Sequence, residues 1–171
     1  MKKFTYLATV IIVIAMMASC HKIEHLSPVP HIEYTSFKIF DTTDILGNLS
    51  KGGRLKFHFE DGDGDLGLRT PVGDSIADTT NLFLTLYRKK DGIMIPAASN
   101  DILKPSGYRI PYMERVGQNK ILKGTVSVTF LYLFYTPADT IRYDFYIIDR
   151  AQNVSNVVST NEIVIATNKT Y

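Results

Sequence analysis

Hydrophobic and polar residues alternate with a period of two along much of the chain after residue 31. In residues 54–60 the apolar Leu55, Phe57 and Phe59 share one face, and polar residues occupy the other. Residues 141–147 repeat this pattern, with the odd-numbered positions apolar. Such alternation predicts β-strands with one buried face.

Further segments rich in Val, Ile, Phe, Tyr and Thr are also predicted to be strands: about 32–40, 81–89, 93–96, 122–134 and 157–166. No segment has the 3.6-residue apolar spacing of an amphipathic helix. About seven strands, separated by clusters of Gly, Pro, Asn and Asp, predict an all-β fold. An antiparallel β-sandwich is favoured, and a small barrel is the alternative.

Residues 139–145 narrow the predicted fold. They resemble the tyrosine corner of immunoglobulin-like and fibronectin type III-like domains, with Tyr143 as the corner residue. The resemblance implies that the Tyr143 hydroxyl bonds to backbone just upstream, while its ring packs in the core. The alternative is an ordinary inward-facing tyrosine on a strand.

The first 20 residues have the organisation of a secretory signal. Lys2 and Lys3 precede an apolar run over residues 4–17, and Ala18 and Ser19 lead to Cys20, the only cysteine of the chain. A basic start, a short apolar run and a small-residue cleavage site are typical of signal peptides, so we predict that residues 1–19 are removed.

Residues 17–20 suggest how the mature chain is attached to a membrane. Ala18-Ser19-Cys20 resembles the end of a bacterial lipoprotein lipobox, with Met17 where Leu is usual. The resemblance implies cleavage before Cys20 and lipidation of Cys20, which would anchor the protein to a membrane. The alternative is an ordinary cleaved signal beside a chance cysteine. Pro28 and Pro30 favour an extended backbone, so residues 20–30 are predicted to be a tether and residues 31–171 a single domain.

Charge excludes one class of partner. The full chain has 19 Lys and Arg residues against 17 Asp and Glu residues. Removal of Lys2 and Lys3 with the signal leaves the mature chain neutral, with charges of both signs scattered along it. Nucleic-acid binding needs a basic patch or stripe, so we predict no nucleic-acid partner.

Residues 60–67, Glu-Asp-Gly-Asp-Gly-Asp-Leu-Gly, contain the most suggestive chemistry. Asp61, Asp63 and Asp65 alternate with glycines, which would let a tight turn direct several oxygens at one calcium ion. An EF-hand is excluded, because Leu66 and Val72 occupy its required Gly and Glu positions. The alternative is a solvated acidic turn.

A second loop is expected beside the first. In an immunoglobulin-like fold, the loops that follow residues 53–60 and 140–149 lie at the same end. Asp149 and Asn153 are therefore candidate calcium ligands together with Asp61, Asp63 and Asp65. Two alternatives remain: Arg150 could neutralise the acids as a salt bridge, and Asp149 and Asn153 could simply close a turn.

Several motifs in order resemble small outer-membrane lipoproteins of Bacteroidetes: the lipobox, residues 59–67, 108–111, 123–126 and 149–156. The resemblance implies a bacterial outer-membrane location, an immunoglobulin-like domain and an accessory role, and it brings no catalytic residues. Gln152 stands where such loops commonly have Gly. His21, Lys22 and Ile23 replace the acids that direct related lipoproteins to the cell surface, so the membrane face stays open.

Three classes of function follow from these features. The leading one is a lipid-anchored, non-catalytic module that binds or scaffolds an unidentified envelope protein, with calcium as a possible stabiliser. The second is a carbohydrate-binding accessory protein in which Tyr108 and Tyr112 stack on sugars, although the chain has no Trp. A glycan hydrolase is third, because the acidic residues crowd one loop and no catalytic motif is present.

Overall fold

The computed structural model describes residues 26–70, 80–114 and 120–171. The predicted signal, Cys20 and the first part of the predicted tether lie outside the described residues. The described chain contains strands and turns and no helix, so none of it forms a helix that could cross a membrane. Its strands are β1 (His31–Thr43), β2 (Leu49–Asp61), β3 (Leu82–Lys90), β4 (Ile93–Pro96), β5 (Leu122–Tyr132), β6 (Thr140–Ile147), β7 (Val158–Ser159) and β8 (Ile163–Val164).

The strands form two antiparallel sheets. One has the order β1-β2-β5, and the other has the order β4-β3-β6-β7, with β8 also paired to β6. The predicted all-β, antiparallel architecture is therefore confirmed. The pairs β1-β2, β3-β4 and β6-β7 are antiparallel neighbours in a sheet, whereas the connections from β2 to β3, β4 to β5 and β5 to β6 cross between the sheets.

Two strand predictions differ from the structure for local reasons. β2 begins before residue 54, because Gly52 and Gly53 leave room for the rings of Phe40 and Phe37 and so hide the alternation. The predicted single strand over 157–166 is wrong. Thr160 separates β7 from β8 by binding the backbone of Tyr143 through its own N–H and hydroxyl.

Aromatic rings from both sheets meet in one core. The odd-numbered residues of β6 are fully buried, as their pattern predicted. Phe57 of β2 meets Phe145 of β6 with ring centroids 5.2 Å apart, and Phe130 of β5 stacks on Tyr143 at 5.4 Å. These contacts hold the two sheets face to face.

Tyr143 behaves as an inward-facing core tyrosine. Its hydroxyl lies 3.0 Å from the Tyr132 hydroxyl and 3.5 Å from the carbonyl oxygen of Leu103, forty residues upstream. The predicted bond to backbone just upstream is therefore not the one formed, because the hydroxyl lies instead beside the buried residues Tyr132 and Leu103. Burial raises the pKa of Tyr143, so the hydroxyl stays neutral.

Candidate metal centre

Asp61 and Asp149 reach the same end of the molecule because β2 and β6 face each other from opposite sheets. Phe57 and Phe145 face each other, and each aspartate follows its phenylalanine by four residues. Asp63 and Asp65 lie in the loop that follows Asp61. We call this end, defined by Asp61, Asp63, Asp65 and Asp149, the acidic end.

One carboxylate oxygen from each of these four aspartates lies within 4.8 Å of the others. Opposite ligands of a calcium ion lie about 4.6–5.2 Å apart, given calcium–oxygen distances of about 2.3–2.6 Å. The four oxygens therefore fit within one calcium coordination sphere. The group could hold a metal ion, and it joins the two loops that the sequence predicted to meet.

Burial makes this cluster unlike a solvated turn. The Asp61 side chain is fully buried and Asp149 is 1% exposed. The Oδ2 atom of Asp61 accepts a hydrogen bond of 2.8 Å from the backbone N–H of Leu66. The Oδ1 atoms of Asp61 and Asp65 are buried and have no hydrogen-bond partner among the described residues. Unpaired buried carboxylate oxygens are costly, and a bound cation would satisfy them.

Burial and the crowding of carboxylates raise the pKa values of two aspartates at the acidic end. Burial is the main cause that raises the pKa of Asp61 to about 6, and the nearby carboxylates of Asp63 and Asp65 raise it further. Burial also raises the pKa of Asp65, helped by the charges of Asp149 and Asp63. A cation would reverse both effects by favouring the ionised carboxylates.

Asn153 orients Asp149. Its backbone N–H donates to Asp149 Oδ1 and its side-chain amide donates to Asp149 Oδ2, both at 2.8 Å. Gln152 between them has a φ of +68°, a left-handed conformation that allows the tight turn. Asp149 and Asn153 therefore close a turn, and Asp149 also belongs to the acidic cluster. Asn153 as a direct metal ligand stays a prediction.

Arg150 braces the backbone of the acidic loop. Its guanidinium donates to the carbonyl oxygens of Gly67 at 2.7 Å and of Leu66 at 3.4 Å. In the part of the chain that the structure describes, no basic nitrogen lies within 4.0 Å of a carboxylate oxygen of Asp61, Asp65 or Asp149. A salt bridge from Arg150 to these three acids, the alternative predicted from the sequence, does not form because its donors point to carbonyls.

Two further segments support the loop, and the sequence pattern did not indicate either. Leu68 N–H donates to the Ile110 carbonyl at 3.0 Å, and Tyr112 N–H donates back to Leu68 at 2.9 Å. Gly62 N–H donates to the Ser27 carbonyl at 2.9 Å. A Cβ added at residue 62 would clash with backbone oxygens. Such supports have no local sequence signal, because any residue can offer a backbone N–H or carbonyl.

The two tyrosines proposed for sugar stacking have other contacts. Tyr108 is half-buried, with its ring edge-on to Phe130 at 5.3 Å. The ring of Tyr112 lies below two guanidiniums, at 4.6 Å from Arg69 and 5.0 Å from Arg150. Neither ring offers the open planar row that sugar stacking needs, so their role in ligand binding stays a prediction without structural support.

No protein-family model, curated protein or solved structure matches the chain. The geometry of the acidic end is therefore the main guide to function.

Proposed function

We propose that this protein is a lipid-anchored, non-catalytic module of the bacterial cell envelope that binds or scaffolds another envelope component and is stabilised by calcium. The observation that carries the calcium part is the buried Oδ1 atom of Asp61, which has no hydrogen-bond partner among the described residues and belongs to a group of four converging aspartates. The anchor part rests on residues 1–20.

Calcium is favoured over magnesium by the kind of ligands. Calcium accepts six to eight oxygens in irregular geometry, whereas magnesium needs near-ideal octahedra and keeps most of its waters. Four carboxylates on two loops, two of them fully buried, suit the larger ion. Arg69 and Arg150, stacked on Tyr112 beside the loop, would balance the two negative charges that remain after one divalent cation binds.

An immunoglobulin-like sandwich is proposed from the strand order. In that fold, strands A, B and E share one sheet, and strands C′, C, F and G share the other. The orders β1-β2-β5 and β4-β3-β6-β7 correspond to these two sheets. The last strand is interrupted here, so β7 and β8 together would take the place of strand G.

The non-catalytic assignment rests on the spacing of the acids. Glycoside hydrolases hold two carboxyl groups about 5–9.5 Å apart, across a cleft that admits the sugar. One carboxylate oxygen from each of the four aspartates lies within 4.8 Å of the others, which suits a shared cation better than a substrate.

The calcium proposal is tested by thermal unfolding of residues 21–171 in EDTA, in calcium and in magnesium. Calcium at ten to a hundred times its Kd should add about 1.4–2.7 kcal/mol, or about 3–10 °C in Tm. The D63N variant should lose most of this rise. The matched D91N variant changes an exposed turn aspartate with a φ of +50°, where Asn is well tolerated, and should keep it. An equal Tm in calcium and EDTA would refute the site.

The anchor is tested separately by labelled palmitate. The full chain expressed in a lipoprotein-processing bacterium should incorporate the label, and the C20A variant should not. The M17L variant restores the usual lipobox residue and should incorporate at least as much. Label in the C20A variant would show that the attachment is elsewhere.

A further inference from the structure

Sheet edges expose unpaired backbone groups. In the described chain, every sheet edge except one is either covered by other residues or formed by a short strand. The edge of β1 is covered by the C-terminal residues. Phe37 and Ile39 donate to the carbonyls of Tyr171 and Lys169 at 3.1 and 2.8 Å, and Tyr171 donates back to Phe37 at 2.8 Å. Near its start, Ile32 is bonded through both N–H and C=O by the Asn156 side chain.

The edges of the second sheet are short. β4 has four residues and ends in Pro96, which cannot donate a backbone hydrogen bond. β7 and β8 have two residues each. Short strands and proline are two of the ways in which natural sheets avoid pairing with other chains.

The edge of β5 has neither protection. β5 has eleven residues, and β2 is its only neighbour among the strands of the described chain. Between Gly124 and Tyr132, no described residue hydrogen-bonds to the backbone of its other edge. After Lys123 the chain has no charged residue until Asp139, so the rest of β5 lacks the lysines and acids that usually protect an edge.

The sequence of β5 is complementary to itself in antiparallel pairing. With a two-fold axis at Ser127, Thr125 faces Thr129 of the second copy, and Val126 faces Val128. Lys123 faces Leu131, so no like charges oppose each other across the junction. Paired hydroxyl-bearing and β-branched residues are favourable cross-strand neighbours.

We propose that β5 is a self-association edge, at which two copies of this chain pair antiparallel about Ser127 to form one continuous six-stranded sheet, β1-β2-β5 with its two-fold mate. A two-fold contact closes on itself and satisfies both open edges at once. The antiparallel arrangement places the acidic ends of the two copies at opposite ends of the joined sheet. This inference is independent of calcium binding and of the lipid anchor.

Disulfide trapping in the full chain, solubilised in mild detergent, tests the pairing. C20A removes the only native thiol, and S127C then places two thiols on the two-fold axis, within reach of a disulfide. Under mild oxidation S127C should give mainly covalent dimer. The control T85C, exposed on the central strand β3, should give less than a tenth as much.

The register is tested by mixing two variants. T125C and T129C should cross-link with each other when mixed, and each alone should link at the level of T85C. Adding S127K to both places two ammonium groups face to face at the axis and should lower the mixed product at least tenfold, while circular dichroism confirms an unchanged fold. If S127C links no more than T85C, or if S127K has no effect on the mixture, the proposal is wrong.

Discussion

The two ends of the molecule handle aspartates in opposite ways. At the end opposite the acidic end, Arg88 binds Asp101 with two hydrogen bonds, of 2.5 and 2.9 Å, and binds Asp139 at 2.7 Å. We call this group the arginine end. At the acidic end, four carboxylates converge without a basic nitrogen within 4.0 Å of Asp61, Asp65 or Asp149 in the described chain.

The pKa values report the same contrast. Hydrogen bonding to Arg88 lowers the pKa of Asp101, whereas burial and neighbouring carboxylates raise the pKa of Asp61. The arginine end thus contains its own cation, and the acidic end is built to receive one. Aspartates at the first end support the fold directly, and those at the second support it only when their charge is balanced.

Removing the cation of the arginine end should have the largest effect. R88M leaves Asp101 and Asp139 partly buried and unpaired, and we expect a loss of about 2–3 kcal/mol in the free energy of unfolding. The loss is less than for a fully buried pair because the Arg88 side chain is 28% exposed. Urea unfolding measures it.

K89M is the matched control, since Lys89 pairs with Glu162 on the surface. This variant should change stability by less than about 0.5 kcal/mol. Similar losses in R88M and K89M would show that the arginine end is no more than a surface ion pair.

Neutralising one aspartate should act with opposite signs at the two ends. In EDTA, D61N removes a buried charge and keeps an oxygen for the Leu66 N–H, so we expect a gain of about 1–2 kcal/mol after discounting for solvent screening. D101N weakens the Arg88 pair and should cost about 1–2 kcal/mol. Urea midpoints compare them, and a loss in both variants would remove the contrast between the ends.

Releasing Asp149 should weaken calcium binding rather than folding. N153A removes the side-chain hydrogen bond to Asp149 Oδ2, and such orienting contacts typically change metal affinity by about tenfold or more. Titration calorimetry measures the Kd. N161A, on an exposed loop residue, should leave the Kd unchanged. Equal affinities in the two variants would mean that Asp149 needs no orientation.

The smallest effect expected is a change in folding stability between pH 7 and pH 5, and only the acidic end should give it. The folded-state pKa of Asp61 is raised from 3.8 to about 6, so the folded state binds the extra proton and its stability falls as pH rises through about 6. Asp101 has a lowered pKa, so its contribution is lost only as pH falls below 3.8. In EDTA the protein should therefore gain about 1 kcal/mol between pH 7 and pH 5.

Urea midpoints at the two pH values measure this gain, and D61N should remove the contribution of Asp61 and leave that of Asp65, whose pKa is also raised. Saturating calcium should reverse its sign, because protons compete with the metal for the carboxylates. A loss of stability on acidification in EDTA would contradict the raised pKa of Asp61.

Local patterns predicted the strands well because a strand shows its buried face every second residue. The alternation in 54–60 and 141–147 placed β2 and β6 and their buried residues correctly. It failed where packing from another strand replaced the pattern, as at Gly52 under the ring of Phe40. It failed again at Thr160, where one side chain interrupts the last strand.

The candidate site was predictable in its acids and not in its supports. The sequence indicated four aspartates of the candidate site, Asp61, Asp63, Asp65 and Asp149. Acidic loops are visible in sequence, and the predicted strand topology brought the two loops that carry these residues to one end. The bracing role of Arg150 was missed, because its partners are carbonyls 83 and 84 residues away. Every residue has a carbonyl, so such a contact has no signature in the residue type.

The amino-acid sequence by itself determined the strand composition of the chain, the acidic loop after β2 and the charge-free run from Gly124 to Ala138. Only the tertiary structure decided which charges are paired, as at Arg88, and which backbone edges are covered, as where Lys169 and Tyr171 close β1. The physical reason is the distance along the chain over which each interaction acts. Burial periodicity and turn chemistry act over a few residues, whereas ion pairs and edge contacts depend on segments that meet only after the two sheets pack.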